Sequence, residues 1–276
     1  MAQPDRSAVV TTRAGEDLSE LWVPLLRRLT ERLPAWGLWK NADRALFGYG
    51  DFDSTAPERD WDAIIGEFSR WAGSHGYGPV AACPHVAGVL FIVALDRKHR
   101  TVLELDVNGR KYFRGWTMFK PEDLTSVMEI DDRGFRRVRP GAEGIILLTQ
   151  NGLRWGGRPN HEGLRAKLVP ELLAADPEGA RAAARLFGPA GKALEAGAAA
   201  VTKGAWNRPA MLQVEAYALA RALMEPAVLT SRLQARRIKN RCPLLRTIFA
   251  DDREIRGDPD RWVRDVGRDH TVLADG

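Results

Sequence analysis

Apolar positions along the chain follow a helical period first, a strand period next, and a helical period again. Leu18, Leu21, Trp22, Leu25, Leu26 and Leu29 recur on one helical face, which predicts a helix over 16–32, closed by Pro34. The first 15 residues, rich in small and polar types, read as a tail. Trp36-Gly-Leu-Trp39 is short and apolar enough for a strand, and a turn or two of helix over 42–47 is broken by Gly48-Tyr-Gly50. Asp51-Phe-Asp-Ser-Thr follows as a strand ending at Ala56-Pro57. Pro57 suits the first turn of a helix to about 74, with Trp61, Ile64, Ile65, Phe68 and Trp71 on one face.

The period then shortens. Segments 79–83, 88–95, 101–107 and 112–119 are dense in Val, Leu, Ile and aromatics, with turn residues between them. Their connections are too short for crossovers, so antiparallel strands are expected. A short helix starts at Phe119-Lys-Pro, 135–138 is a candidate edge strand, and Pro140 opens a helix over 142–155. Beyond it the chain reads as helical, with 18 alanines in the 49 residues 174–222 and prolines at helix-length intervals. The expected fold is α+β: an N-terminal mixed sheet with flanking helices over 1–140, followed by an all-helical half over 141–276.

Composition narrows the class. With 276 residues, 45% hydrophobic and 28% charged, the chain is neither disordered, collagenous nor a coiled coil. Two cysteines, Cys83 and Cys242, exclude a disulfide framework and a four-cysteine zinc site, and fit a reducing compartment. The longest apolar stretches fall far short of the ~20 residues that span a bilayer, and the N-terminus lacks the apolar core of a signal peptide. A cytoplasmic location with no membrane partner is therefore expected. The net charge is +5, unevenly spread: Arg232, Arg236, Arg237, Lys239, Arg241 and Arg246 stand together with no acid among them. Such a cluster draws phosphates or an RNA backbone, and it equally fits a solvated basic face.

The segment Leu38-Trp-Lys-Asn-Ala-Asp-Arg-Ala-Leu-Phe-Gly-Tyr-Gly-Asp51-Phe-Asp53 carries the candidate chemistry. Side chains alternate along a strand, so Asp51 and Asp53 share a face and repel each other. A hard divalent cation such as Mg²⁺ removes that repulsion and takes oxygen ligands. Glu104 and Asp106 share a face of the strand Thr101-Val-Leu-Glu-Leu-Asp-Val. Were the two strands neighbours, three or four carboxylates would converge, enough for one or two Mg²⁺ ions against a triphosphate. The alternative is the ordinary solvated face of a surface strand.

Strand, small helix, glycine break, Asp-h-Asp (h, apolar), helix, then a strand bearing Asp: over roughly 35–155 this order resembles the nucleotidyltransferase fold of the polymerase-beta superfamily, in a bacterial branch. Leu38-Trp-Lys40 is similar to that branch's first strand, and Arg139-Pro-Gly-Ala-Glu143 to its downstream helix start. Lys40-Asn41 occupies the position of the family's small Gly-containing dipeptide, nine residues before Asp51. The resemblance implies a Mg²⁺-dependent enzyme that moves a nucleoside monophosphate from a nucleoside triphosphate to a hydroxyl or amine. In it Asp51, Asp53 and Asp106 would be catalytic and metal-binding, with Glu104 assisting. Lys40, Asn41 and Arg44 would face the triphosphate, a lysine acting as a point charge and an asparagine tolerating unusual backbone angles.

The acceptor would be an RNA, a protein or a small molecule, the helical half shaping its site and Arg232, Arg236, Arg237, Lys239 and Arg241 contacting its phosphates. Lys40-Asn41 in place of the small dipeptide keeps a second reading open. That reading is a catalytically inactive module of the same fold, binding RNA or a protein partner through basic helices. A third reading is an unrelated scaffold in which the acids never meet. Trp116 and Trp206, beside glycines, are candidate pocket walls.

Overall fold

A computed structural model describes residues 15–86, 88–99, 101–164, 167–225 and 272–273. The protein is mixed α+β, with sheet in its N-terminal part and mostly helix later. Its contacts divide it into two compact units. Among the described residues the first comprises those within 15–109, 133–135 and 272–273, the second those within 110–132 and 136–225. Residue 140 therefore lies inside the second unit. The switch from strands to helices marks a change of local structure, whereas strands after residue 110 pack with the helices that follow them.

The first unit runs α1 (Ser19–Arg32), β1 (Gly37–Lys40), α2 (Ala42–Leu46), β2 (Phe52–Thr55), α3 (Trp61–Ser74), β3 (Val80–Val86), β4 (Val89–Asp96) and β5 (Thr101–Asn108). Pro57 precedes a single 3₁₀ turn, Glu58–Asp60, so α3 begins at Trp61, later than Pro57 led us to expect. Within this unit the strand order is β12-β3-β4-β5-β2-β1, where β12 is Val272–Leu273. The meander β3–β4–β5 and the β1–β2 pair are antiparallel, and β2 runs parallel to β5.

One face of this sheet is the hydrophobic core. Trp22 of α1 lies 4.4 Å from Phe52 of β2 and 4.6 Å from Trp71 of α3, ring centre to ring centre. Leu90, Ile92, Leu103, Leu105 and Val107 belong to the same cluster. The period of two then dictates the rest: with Leu103, Leu105 and Val107 inward, Glu104 and Asp106 stand on the opposite face.

The second unit begins with the hairpin β6 (Lys111–Phe113) and β7 (Trp116–Phe119), then α4 (Pro121–Thr125) and the pair β8 (Met128–Ile130) and β9 (Arg136–Val138). What the sequence pattern gave as one strand over 112–119 is broken by a tight turn, where Arg114 and Gly115 have φ of 51° and 92°. The helix α5 (Pro140–Gln150) stops five residues early, at Gln150. Leu153–Arg154 (β10) pairs instead with Arg158–Pro159 (β11), so the C-terminal half is not entirely helical, and Trp155 is exposed. Helices α6 (Leu168–Ala175), α7 (Pro177–Arg185), α8 (Gly191–Thr202) and α9 (Arg208–Met224) complete it.

Helix α5 is buried nearly all round, and glycine lets its neighbours come close: a Cβ on Gly141 would stand 1.8 Å from the Asp176 carbonyl oxygen. Trp116 is a core residue, in edge-on contact with Phe187 and Tyr217. Among the described residues no helix is long and apolar enough to cross a membrane.

Candidate metal centre

The centre is assembled from three neighbouring strands. Lys40, the last residue of β1, lies opposite Asp53 in the antiparallel β1–β2 register. Its Nζ is 2.7 Å from Asp53 Oδ2 and 4.9 Å from the centre of the Trp39 ring. Asn41 follows with φ 58° and ψ 18°, the left-handed conformation that asparagine adopts more readily than most residues. Its Nδ2 lies 3.5 Å from the same Asp53 oxygen. Asp53 is 4% exposed, so its carboxylate is buried against two donors supplied by consecutive residues.

Parallel pairing of β2 with β5 sets Asp53 beside Asp106. Asp51, just before β2, then joins Glu104 and Asp106: one oxygen from each lies within 4.8 Å of the other two. Glu104 faces Val93 and Asp106 faces Phe91 across the β4–β5 ladder, and both of these apolar residues are buried. Burial pushes the Glu104 carboxyl well above the usual carboxylate range, and the charges of Asp51, Asp106 and Asp53 push it the same way. A divalent cation would reverse that penalty. Carboxylate oxygens alone, two on β5 and one just before β2, are the donor set of a hard ion such as Mg²⁺.

Ser54 and Thr55, which read in sequence as the end of a strand, hold this arrangement in register. Ser54 Oγ donates to the Asp106 carbonyl oxygen at 2.8 Å and Thr55 Oγ1 to that of Asn108 at 2.8 Å. Asn108 Nδ2 returns a bond to the Ser54 carbonyl oxygen at 3.3 Å. All three residues are buried. Two hydroxyl residues following Asp-h-Asp were the available signal, but their partner strand lies about fifty residues away in sequence.

The structure thus gathers Asp51, Asp53, Glu104, Asp106, Lys40 and Asn41 in one place, though not with equal standing. Asp53 is held by Lys40, while the triad is made by Asp51, Glu104 and Asp106. Arg44 is exposed, its guanidinium 5.7 Å from the Tyr49 ring centre. Arg232, Arg236, Arg237, Lys239 and Arg241 lie outside the described residues. The second unit has a cavity of its own, about 550 Å³, among α5, α6, α7 and α8. Leu173, Ala180 and Ala198 line it, together with the charged residues Arg181, Lys192 and Glu195.

No protein-family model, curated protein or solved structure matches this chain.

Proposed function

We propose that the protein is a Mg²⁺-dependent nucleotidyltransferase of the polymerase-beta type, moving a nucleoside monophosphate from a nucleoside triphosphate to a hydroxyl or amine of an RNA, protein or small-molecule acceptor. The observation that carries the reading is the parallel β2–β5 pairing, which sets Asp53 beside Asp106 and brings Asp51 and Glu104 to the same place. Four carboxylates against one ammonium repel a triphosphate, so the site has this use only with a cation present. Asp51, Glu104 and Asp106 would hold Mg²⁺, which supplies charge neutralisation and Lewis acidity at the phosphoryl group. Lys40 and Asn41, beside the carboxylates, are placed to orient phosphate oxygens. The α–β phosphoanhydride breaks as the acceptor oxygen or nitrogen bonds the α-phosphorus, the acceptor's proton passes to solvent, and pyrophosphate leaves. The residues contribute by positioning the reactants.

Calorimetric titration of ATP, GTP, CTP and UTP, with and without Mg²⁺, into the wild type and an Asp51→Asn/Asp106→Asn variant tests this. Mg²⁺-dependent binding of at least one nucleotide, absent from the variant, is expected. Binding that persists in the variant, or no binding under any condition, sinks the assignment.

The ion pair between Lys40 and Asp53 favours a second reading. An ammonium seated on one of the four carboxylates suits a module that has kept the fold without transfer activity and binds RNA or a protein through basic residues. Such a module would bind RNA with a steep salt dependence and be indifferent to Asp106→Asn.

A further inference from the structure

We infer that Lys40 supplies, as a built-in ammonium, the positive charge that a second divalent ion would otherwise bring, so that the site takes a single ion on Asp51, Glu104 and Asp106. This rests on the metal reading above and goes beyond it by fixing the stoichiometry and the role of Asp53.

Three observations converge. The first is the position of Lys40: its register partner across the strand pair is Asp53, and its side chain is only 19% exposed, with Nζ near the Trp39 ring and 2.7 Å from Asp53 Oδ2. A lysine anchored by backbone pairing and an aromatic face is a fixture of the site. The second is the grouping of the acids. Asp51, Glu104 and Asp106 bring oxygens within 4.8 Å of one another, close enough to converge on one ion, whereas Asp53 Oδ2 is engaged by Lys40 and approached by Asn41 Nδ2 at 3.5 Å.

The third is the charge balance. Four carboxylates facing one ammonium and one divalent ion are nearly neutralised. A second divalent ion on Asp53 would have to displace an ammonium already at hydrogen-bonding distance, or sit against it in a buried environment where like charges repel strongly. Lys40 thereby converts Asp53 from an ion ligand into the counter-charge of a fixed cation. Asp53 acts through Lys40 and is a positioning residue.

Mn²⁺ is the probe. Its stoichiometry and affinity are measured by electron paramagnetic resonance of unbound Mn²⁺ and by calorimetry, with no nucleotide present. The full chain is compared with Lys40→Met, which keeps an alkyl stem against Trp39, and with Asp53→Asn and Asp106→Asn. Far-ultraviolet circular dichroism checks the fold of each. One Mn²⁺ per wild-type chain is expected. Asp106→Asn removes a ligand and should abolish binding, whereas Asp53→Asn leaves the three ligands in place and should keep one ion at an affinity lower by about tenfold, the order seen when a metal site's supporting groups are removed. Lys40→Met should admit a second ion.

Two ions on the wild type overturn the inference and leave the metal reading standing. So does Asp53→Asn losing the ion as Asp106→Asn does, or Lys40→Met still taking one ion. If the folded wild type takes no Mn²⁺, the metal reading itself falls, and this inference with it.

Discussion

The Ser54 hydroxyl donates to the carbonyl oxygen of Asp106 at 2.8 Å, linking the strand that carries one acid to the strand that carries the other. Parallel ladders have slanted, slightly weaker pairing, so a buried side-chain clip at this point fixes which residue of β5 stands beside Asp53. Ser54→Ala removes the donor and leaves the carbonyl buried. A loss of about 1–2 kcal/mol in urea unfolding is expected, together with weaker Mn²⁺ binding. An unchanged unfolding midpoint would show that the ladder alone holds the register.

Glu104 is the acid of the site that ionises against its surroundings. Burial raises its carboxyl, and the neighbouring acids raise it further. Between its ordinary value of 4.5 and the raised folded value, the native chain binds more protons than the unfolded chain. Stability contributed by this group therefore falls as pH rises through that window, when no divalent ion is present. Glu104→Gln should stabilise the metal-free protein at neutral pH, flatten that pH dependence and abolish the gain in melting temperature on adding Mn²⁺. A lower melting temperature for the metal-free variant at neutral pH would contradict this account.

Glu67 behaves in the opposite sense. Its side chain is 1% exposed, yet Arg70 donates to both its oxygens at 2.7 Å, and Arg28 and Arg32 of α1 also reach it. Burial works to raise its carboxyl, but the hydrogen bond and charge of Arg70 and the charge of Arg32 outweigh it and hold the carboxyl below its ordinary 4.5. The stability it contributes is present above that value and is lost as pH falls through the lower folded one. Glu67→Gln should cost roughly 1–2 kcal/mol at pH 7, since the three arginines are mostly solvated, and should blunt the loss of stability in acid. Chemical denaturation between pH 3 and 7, on the order of the carboxylate range, reads both effects.

In the second unit, Asp176 caps α7 by accepting the Gly179 backbone N–H at 2.9 Å, and also takes Arg139 and the Gly141 N–H. Burial opposes its ionisation, but these donors hold its carboxyl below the usual range. Asp176→Ala should destabilise by about 2 kcal/mol, a cap and a charge-assisted bond together. Gly141→Ala should cost more, about 3 kcal/mol or above, because its Cβ would meet backbone 1.8 Å away that cannot move aside. Tolerance of Gly141→Ala in thermal denaturation would show that α5 and α7 can separate without loss.

Short-range periodicity carried much of this architecture. The heptad-like run from Leu18 to Leu29 gave α1, and alternation along Thr101–Asn108 announced that Glu104 and Asp106 would share a face away from Leu103 and Leu105. Both follow from local geometry, 3.6 and 2 residues per repeat. Breaks that depend on a single turn were harder to see. Arg114, at positive φ, folds 111–119 into a hairpin, and α5 yields after Gln150 to a two-residue pairing.

The centre itself depended on tertiary contacts. No local rule places β2 beside β5, since α3, β3 and β4 lie between them and the pairing is parallel. Lys40 and Asn41 looked like a substitution in a phosphate-binding dipeptide. Folding shows what they do to the acids: the β1–β2 register seats the ammonium on Asp53 and leaves Asp51, Glu104 and Asp106 as the group that converges. Sequence pattern sets which face a side chain occupies because that is a property of one strand. Which charges meet on that face is a property of strand order, and strand order is settled by burying Trp22, Phe52, Phe68 and Leu105 in one core.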